Sequence, residues 1–228
     1  MRTITLSPSV MCMDLTNLEK SIREIEKIGI DALHIDIIDG AFSPSMPLGI
    51  DTVKKLRSIT DLPFDVHIMS LNNEYFINEL LDIGVQHITF HYETSLHVDR
   101  YINLIKQRGT TVGVALNPAT SLSTLDYILP QVDLIMLMLI NPGFATNANE
   151  KQVPYAKQKV EDLHNLIKQR ELTTKIQVDG RVSLDTVPML VKAGADNLVL
   201  GSTSLFMKNN TLSENKKILD EAIMKGLK

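Results

Sequence analysis

The sequence predicts a single (β/α)8 barrel, the TIM-barrel fold, and three observations support that prediction. Short β-rich apolar runs alternate regularly with longer segments of helical period along the 228 residues. Eight such runs occur, which is the number that a closed barrel of roughly 200–250 residues requires. The run 134–140 is apolar at every position, as expected for a parallel strand that is covered on both faces. One domain, residues 1–228, therefore accounts for the chain.

The elements follow one another in strict alternation. Each strand is predicted from a short apolar run, and each helix from apolar residues that recur every three to four positions, with several helices ending at a glycine such as Gly84, Gly109 or Gly194. The predicted strands are 4–11, 33–39, 64–69, 87–92, 111–117, 134–140, 176–179 and 197–201. The predicted helices are 14–28, 50–59, 73–83, 98–108, 121–129, 157–170, 183–193 and 214–224.

Composition excludes several classes of function. The formal net charge is −4 and Lys and Arg are spread through the chain, so we expect no nucleic-acid partner. No apolar run approaches the roughly 18 residues of a membrane span, and residues 1–8 lack the pattern of a signal peptide. The single cysteine, Cys12, rules out an intramolecular disulfide and is expected to be a small buried residue. We therefore expect a cytoplasmic protein without a membrane partner.

Polar side chains at the carboxyl ends of three predicted strands indicate a metal site. His34 and Asp36 lie two residues apart on one strand and therefore point to the same face, while His67 and Asp179 end two other strands. Active sites of barrels lie at this end of the strands. Four buried ionisable groups would cost several kcal/mol unless they were paired or coordinated. Two imidazoles and two carboxylates suit one divalent ion such as Zn, Fe, Mn or Co.

The other histidines show no such grouping. We expect His87, His91, His97 and His164 to be structural or surface residues, with His91 near the rim of the pocket.

Glycine-rich turns follow the predicted strands six, seven and eight, where many barrels bind phosphate through backbone N–H groups. They contain Gly143, Gly180 and Gly201, each of which could instead simply turn the chain. Three such turns together favour a phosphate site, to which Ser202 adds a hydroxyl donor.

Together these motifs resemble the ribulose-phosphate 3-epimerase family across nearly the whole chain. The resemblance is carried by Ser7-Pro8-Ser9, the segments 34–40 and 65–69, Asn141-Pro142-Gly143-Phe144, Val178-Asp179-Gly180 and Gly201-Ser202. It implies that His34, Asp36, His67 and Asp179 bind the metal, that Asp36 and Asp179 are the catalytic residues, and that the protein is a homo-oligomer. The implied substrate-binding residues are Ser9, His67, Gly143, Phe144, Ala145, Thr146, Gly180, Arg181, Gly201 and Ser202.

The reaction implied by the resemblance is metal-dependent 3-epimerisation of a ketose phosphate. Its substrate would be ribulose 5-phosphate, converted to xylulose 5-phosphate, or allulose 6-phosphate, converted to fructose 6-phosphate. Two aspartates would move the C3 proton, and a metal-stabilised enediolate would form between the two proton transfers.

Departures from the family pattern bear on the substrate. Ile38, Ala41 and Ser45 stand where the family usually has Met, His and Asn, and Arg181 replaces a common Gly. The turn after strand six also reads Phe-Ala-Thr-Asn, in place of the usual glycines and glutamine, and is a few residues longer. The runs 11–14 and 201–206 are more similar to the allulose-6-phosphate 3-epimerase branch.

Two alternatives remain from the sequence. A decarboxylase or aldolase on a related barrel would need a lysine on strand two, and none follows Asp36 there. A non-catalytic phosphosugar-binding barrel would be favoured if a metal ligand were missing, but four candidate ligands are present.

Overall fold

Eight parallel strands form one sheet in the computed structural model of this chain, which describes residues 3–145, 147 and 149–228. The order of the strands around the sheet is β1-β8-β7-β6-β5-β4-β3-β2, so each strand after β2 lies beside the one that precedes it in sequence. The strands are β1 (Thr5–Pro8), β2 (Leu33–Ile38), β3 (Phe64–Met69), β4 (His87–His91), β5 (Thr111–Leu116), β6 (Leu134–Met138), β7 (Lys175–Asp179) and β8 (Asn197–Leu200). The predicted barrel is confirmed.

Seven α-helices surround the sheet in the described part of the chain, each buried along one stripe. They are α1 (Leu18–Glu26), α2 (Ile50–Arg57), α3 (Asn73–Ile83), α4 (Val98–Gln107), α5 (Ala156–Gln169), α6 (Val187–Ala193) and α7 (Leu212–Gly226). No described helix has the length and hydropathy of a bilayer-spanning segment.

The predicted helix 121–129 is wrong. Two short 3-10 helices, Leu122–Leu125 and Leu129–Gln131, stand in its place. The Ser121 hydroxyl accepts a hydrogen bond from the Ser123 N–H, as serine does at helix starts rather than in helix interiors. Pro130 lacks the N–H that a continuing helix would need. The connection from β5 to β6 therefore has no α-helix.

The two faces of the barrel strands differ sharply in polarity. Ile35 and Ile37 pack in the hydrophobic core between the strands and the helices. His34 and Asp36 alternate with them and therefore point into the barrel, where the strand register aligns them with Asp65 and His67 of β3. Buried polar residues on this inner face include Ser7, Ser9, His34, Asp36, Asp65, His67, Thr89, His91, Gln177 and Asn197. The inner face is thus built for polar contacts as well as for packing.

The barrel closes between β1 and β2. On one side β1 pairs with β8 along four residues, from Thr5 to Pro8. On the other side, Ser9 bridges His34 and the Asp31 N–H donates to the Leu6 carbonyl at 3.2 Å. We call this join between β1 and β2 the seam. In the described residues it has no continuous ladder, so it is the sparsest join of the barrel.

Candidate metal and substrate site

Four predicted ligands converge at the carboxyl ends of β2, β3 and β7. His34, Asp36, His67 and Asp179 each offer one ligand atom, and these atoms all lie within 4.8 Å of one another. Both imidazoles are fully buried, whereas the Asp179 side chain is 16% exposed and faces the pocket. The sequence therefore identified the residues that the fold brings together.

Distances within this cluster fit a metal ion. His34 Nε2 lies 3.4 Å from Asp36 Oδ1, and His67 Nδ1 lies 3.5 Å from the same oxygen and 3.6 Å from Asp179 Oδ2. Four tetrahedral ligands about 2.1 Å from an ion are themselves about 3.4 Å apart. Both facing nitrogens are buried without a hydrogen-bond partner. Such orphaned lone pairs beside two carboxylates are the donor set of a Zn, Fe, Mn or Co site.

Without an ion, the cluster holds protons. Burial alone would lower the pKa of His34, but the charges of Asp36 and Asp65 outweigh burial and raise that pKa well above its ordinary value. The pKa of His67 is raised against burial by Asp179 and Asp36. Burial would raise the pKa of Asp36, yet the two imidazoles hold it below its ordinary range. Metal must displace these protons, so metal affinity should rise with pH.

Asp65 contacts His34 at the ring nitrogen that does not face the other candidate ligands. Its Oδ2 lies 3.0 Å from His34 Nδ1 and accepts a second hydrogen bond from the Gln177 amide. Burial would raise the pKa of Asp65, but the charge of His34 and these contacts lower it to about 2. Asp65 is not among the site residues predicted from the sequence. Asp65 lies two residues before His67 and therefore on the same face of the strand, and this spacing could have indicated that it belongs to the site.

His91 is the second residue whose contacts the sequence did not indicate. It was expected to be structural or at the rim, but it is fully buried with its Nε2 2.9 Å from His67 Nε2. Its Nδ1 lies 3.1 Å from Glu93 Oε2. Burial lowers the pKa of His91 to about 4. Its place at the end of β4, beside the strand that carries His67, could have indicated that it contacts the site.

Ser9, a predicted substrate-binding residue, contacts the metal-ligand cluster. Its hydroxyl donates to Asp36 Oδ2 at 2.8 Å, which leaves Asp36 Oδ1 to face the two imidazoles.

A pocket opens above Asp36 and Asp179. Most of the predicted substrate-binding residues line it, namely Ser9, Gly143, Ala145, Gly180, Arg181, Gly201 and Ser202. His67 lies beneath the pocket, and Phe144, 38% exposed, is not among the described residues of the wall. Thr146 lies outside the described residues. Among the departures from the family pattern, Ile38 lines the wall, whereas Ala41, which is exposed, and Ser45, which is half-buried, are not among its described residues.

Gly201 contributes space rather than a hydrogen bond. Its N–H already donates to Ser204 Oγ at 3.2 Å, and a Cβ at this position would meet only Cys12 Sγ, at 3.4 Å. The role of its backbone N–H as a phosphate donor stays a prediction.

Arg181 occupies a costly conformation at the far end of the pocket. Its φ of 52° lies in the left-handed region, where glycine is favoured. Its Nη2 donates to the Asn147 carbonyl at 2.7 Å, while its buried Nε has no partner. The Gln152 amide donates to the Gly180 and Arg181 carbonyls, both at 3.0 Å, and so fixes this turn. Among the described residues of the wall, Arg181 is the sole cation.

Comparison with known proteins gives a family match over most of the chain. The model described as "Ribulose-phosphate 3 epimerase family" matches residues 5–206. The ribulose-phosphate 3-epimerase of Methanocaldococcus jannaschii is 36% identical over 220 residues, which cover 96% of this chain and 92% of that protein. The ribulose-phosphate 3-epimerase of Escherichia coli K12 is 32% identical over 222 residues, which cover 97% and 95%.

Solved structures match in fold. The 3-hexulose-6-phosphate synthase from Salmonella typhimurium superimposes with a TM-score of 0.68 at 17% identity, covering 98% of this chain and 100% of that one. A tryptophan synthase α-subunit from Pyrococcus furiosus gives 0.62 at 16% identity, covering 100% and 99%. At these identities the likeness concerns the barrel alone.

Proposed function

Because the chain belongs to the ribulose-phosphate 3-epimerase family, we propose that it inverts C3 of a ketose phosphate, with Asp36 and Asp179 as the acid and base. The observation that carries the proposal is the convergence of these two carboxylates with two orphaned imidazole nitrogens below an open pocket. The relatives' names indicate the reaction type, and the pocket supplies the residues.

Inversion beside a carbonyl needs one group to remove the C3 proton and another to return a proton to the opposite face. Asp36 on β2 and Asp179 on β7 lie three strand positions apart around the barrel, and both line the pocket. They can therefore reach a sugar from different sides. One carboxyl must start ionised and the other protonated, and the roles exchange with the direction of reaction.

The metal ligands in this proposal are His34 through Nε2, His67 through Nδ1, Asp36 and Asp179. A bound divalent ion of the Zn, Fe, Mn or Co class would supply Lewis-acid stabilisation, worth several kcal/mol, of the charge that develops when the C3 proton leaves. Ser9 assists by holding Asp36 Oδ2, so that this carboxylate keeps one orientation during proton transfer.

We assign the phosphate to the end of the pocket formed by Gly143, Gly180, Arg181, Gly201 and Ser202. A phosphate dianion needs positive charge and N–H donors, and Arg181 offers the wall's sole described cation together with an unpaired buried Nε. A ligand that pairs with Nε would also offset the strain of the left-handed backbone at this residue. Phe144, Ala145 and Thr146 complete the predicted binding segment.

Arg181→Met tests this assignment. We expect KM for the ketose phosphate to rise about tenfold or more, the usual effect of losing a charged hydrogen bond, with inhibition by inorganic phosphate weakened in parallel. Arg100→Met, which removes an exposed cation of α4, serves as the control. Equal phosphate inhibition in both variants would contradict the role of Arg181.

The ketose itself stays open between ribulose 5-phosphate and allulose 6-phosphate. Ile38 lines the wall in place of the usual Met, which supports a changed sugar end of the pocket. Turnover of both ketoses by the metal-loaded protein decides between them through the ratio of their kcat/KM values. The single domain, the homo-oligomer and the cytoplasmic location remain predictions from the sequence.

Two other functions fit the observations less well. A lyase or synthase of related fold is weakened because the likeness to 3-hexulose-6-phosphate synthase is at 17% identity and β2 carries no lysine. A non-catalytic binding protein would not need two carboxylates and two unpaired imidazole nitrogens at the pocket floor.

Asp36→Asn and Asp179→Asn test the epimerase mechanism directly. Each should reduce epimerisation by at least about 100-fold, the contribution expected of one acid or base. A variant that retains metal should still let the surviving aspartate exchange the C3 proton with deuterated solvent without inversion. Asp51→Asn, at an exposed position of α2, is the control. Epimerisation near the wild-type rate in either variant, with metal bound, would refute the assignment.

A further inference from the structure

Behind the candidate metal site, a chain of hydrogen bonds runs from the buried His67 to the partly exposed carboxylate of Glu93. His67 Nε2 lies 2.9 Å from His91 Nε2, and His91 Nδ1 lies 3.1 Å from Glu93 Oε2. Both imidazoles are fully buried, on β3 and at the end of β4. Glu93 lies just beyond, in the short 3-10 helix Tyr92–Thr94. The proposed metal function assigns no role to His91 or Glu93.

Only one assignment of hydrogen-bond donors and acceptors fits these three side chains. The ionised Glu93 carboxylate can only accept, so His91 Nδ1 carries a proton that it donates to Glu93. The neutral His91 ring then accepts at Nε2, and His67 Nε2 must be the donor. Once a metal has displaced the second proton of His67, the lone pair of the neutral ring is therefore on Nδ1, which is the nitrogen that faces Asp36 and Asp179 without a partner.

Neighbouring groups hold the chain in place. Glu93 Oε1 accepts from the Asn117 N–H at 2.7 Å and from the Thr120 hydroxyl. The Phe42 ring packs against His91 with a centroid distance of 4.7 Å, and the rings of His91 and His67 stack at 5.0 Å. His91 therefore has little freedom to turn, and neither has the imidazole that it supports.

The two ligand imidazoles are supported differently. His34 donates to a carboxylate directly, since its Nδ1 lies 3.0 Å from Asp65 Oδ2. For His67 the carboxylate of Glu93 is one residue further away, and His91 transmits its influence. Outer groups of this kind set the tautomer and the basicity of a metal-ligating histidine.

We propose that His91 and Glu93 are positioning residues that fix the tautomer and orientation of His67 and thereby set the affinity of the site for its divalent ion. This inference rests on the proposed function, because it assumes that His67 Nδ1 is a ligand.

Metal affinity measured by competition with a chromogenic chelator is the first test, with Zn as the probe. In His91→Phe, His67 Nε2 loses its acceptor, and we expect Zn affinity to fall 10- to 100-fold. His91→Gln retains an acceptor amide oxygen, and we expect it to recover most of that loss. Glu93→Gln should show an intermediate loss and is the variant to rely on if His91→Phe does not fold. His97→Phe, an exposed histidine just before α4, is the matched control.

Imidazole nitrogen NMR of the Zn-loaded protein gives a second readout, which a merely structural role would not change. Wild-type His67 should be protonated at Nε2 and metal-bound at Nδ1, and in Glu93→Gln the His67 Nε2 proton resonance should shift or broaden. Equal Zn affinity and unchanged His67 resonances in all variants would overturn the positioning role alone. Failure of the wild-type protein to bind Zn, Fe, Mn or Co would overturn the proposed function as well.

Discussion

Replacing Asp65 by Asn tests whether the support behind the metal cluster matters. Asp65 is buried, and its Oδ2 holds both His34 Nδ1 and the Gln177 amide. Asn preserves the shape and one acceptor oxygen but removes the negative charge that faces the imidazole. The perturbation therefore acts on the basicity of His34 while His34 itself stays in place.

The structure gives the expected size of two effects of this substitution, one on metal affinity and one on the free energy of unfolding. Loss of an outer partner of a ligating histidine typically weakens metal binding 10- to 100-fold, or about 1.4–2.7 kcal/mol. In metal-free protein, the pKa of Asp65 is lowered from 3.8 to about 2, which corresponds to about 2 kcal/mol shared with His34. A lowered folded-state pKa stabilises the fold above the unfolded value. That contribution is complete above about pH 5 and is lost as the pH falls toward 2.

The assay combines chelator competition for metal affinity with denaturant unfolding of metal-free protein between pH 7 and pH 3. We expect Asp65→Asn to bind metal more weakly and to lose about 2 kcal/mol at pH 7, with the deficit narrowing below pH 4. Asp61→Asn, an exposed carboxyl of the turn before β3, is the control. Metal affinity within twofold of wild type, together with a stability deficit that does not change with pH, would refute the reasoning.

Three further predictions concern the pocket wall. Gly201→Val should raise KM for a ketose phosphate at least about tenfold while leaving thermal stability nearly unchanged, because a Cβ there meets only Cys12 Sγ at 3.4 Å; an unchanged KM would contradict this. Gly180→Ala should instead cost about 2 kcal/mol or more in unfolding experiments, since its φ is +107° and its Cβ would lie 2.7 Å from Ile140 Cγ1. A wild-type melting temperature would disprove that strain. Cys12 is exposed at the pocket wall, contrary to the expectation of a buried residue, yet in metal-free protein the surrounding protein atoms desolvate its thiol and, together with the charge of Asp36, raise its pKa to about 11. Disulfide-exchange reagents at pH 8 should therefore label it at least about tenfold more slowly than in unfolded protein, with the rate rising toward pH 11, and equal rates would count against the raised pKa.

Much of the fold could be predicted because strands and ligands obey simple periodicities. The run 64–69 was predicted as a strand and is β3 with the same bounds. The alternation along β2 placed His34 and Asp36 on one face, and the register with β3 then aligned Asp36 with His67. Convergence of all four candidate ligands, Asp179 of β7 included, could be predicted from the fold class, because the carboxyl ends of all the strands meet at one end of a barrel.

The remaining features depend on side-chain geometry or on local competition between conformations. The connection at 121–129 has helical spacing, but the Ser121 hydroxyl and Pro130 favour short 3-10 turns. The contact between His67 and His91 depends on the strand register and on two side-chain rotamers. The amino-acid sequence alone predicts neither the register nor the rotamers. The left-handed backbone of Arg181 likewise could not be predicted from the sequence, because a residue other than glycine normally has a negative φ.

The seam has a consequence for how the protein loses activity. Ser9 lies on one side of it and both His34 and Asp36 lie on the other, joined by one bridge and by the hydroxyl that donates to Asp36. Parting β1 from β2 would break few backbone hydrogen bonds, so it should require much less free energy than unfolding the barrel. We expect the amide hydrogens of Asp31 and Ala32, which donate to the Leu6 carbonyl across the seam, to exchange with solvent sooner than those of β4 and β5, and added metal to slow them selectively. Exchange at a uniform rate around the barrel would show that the seam opens only when the whole molecule unfolds.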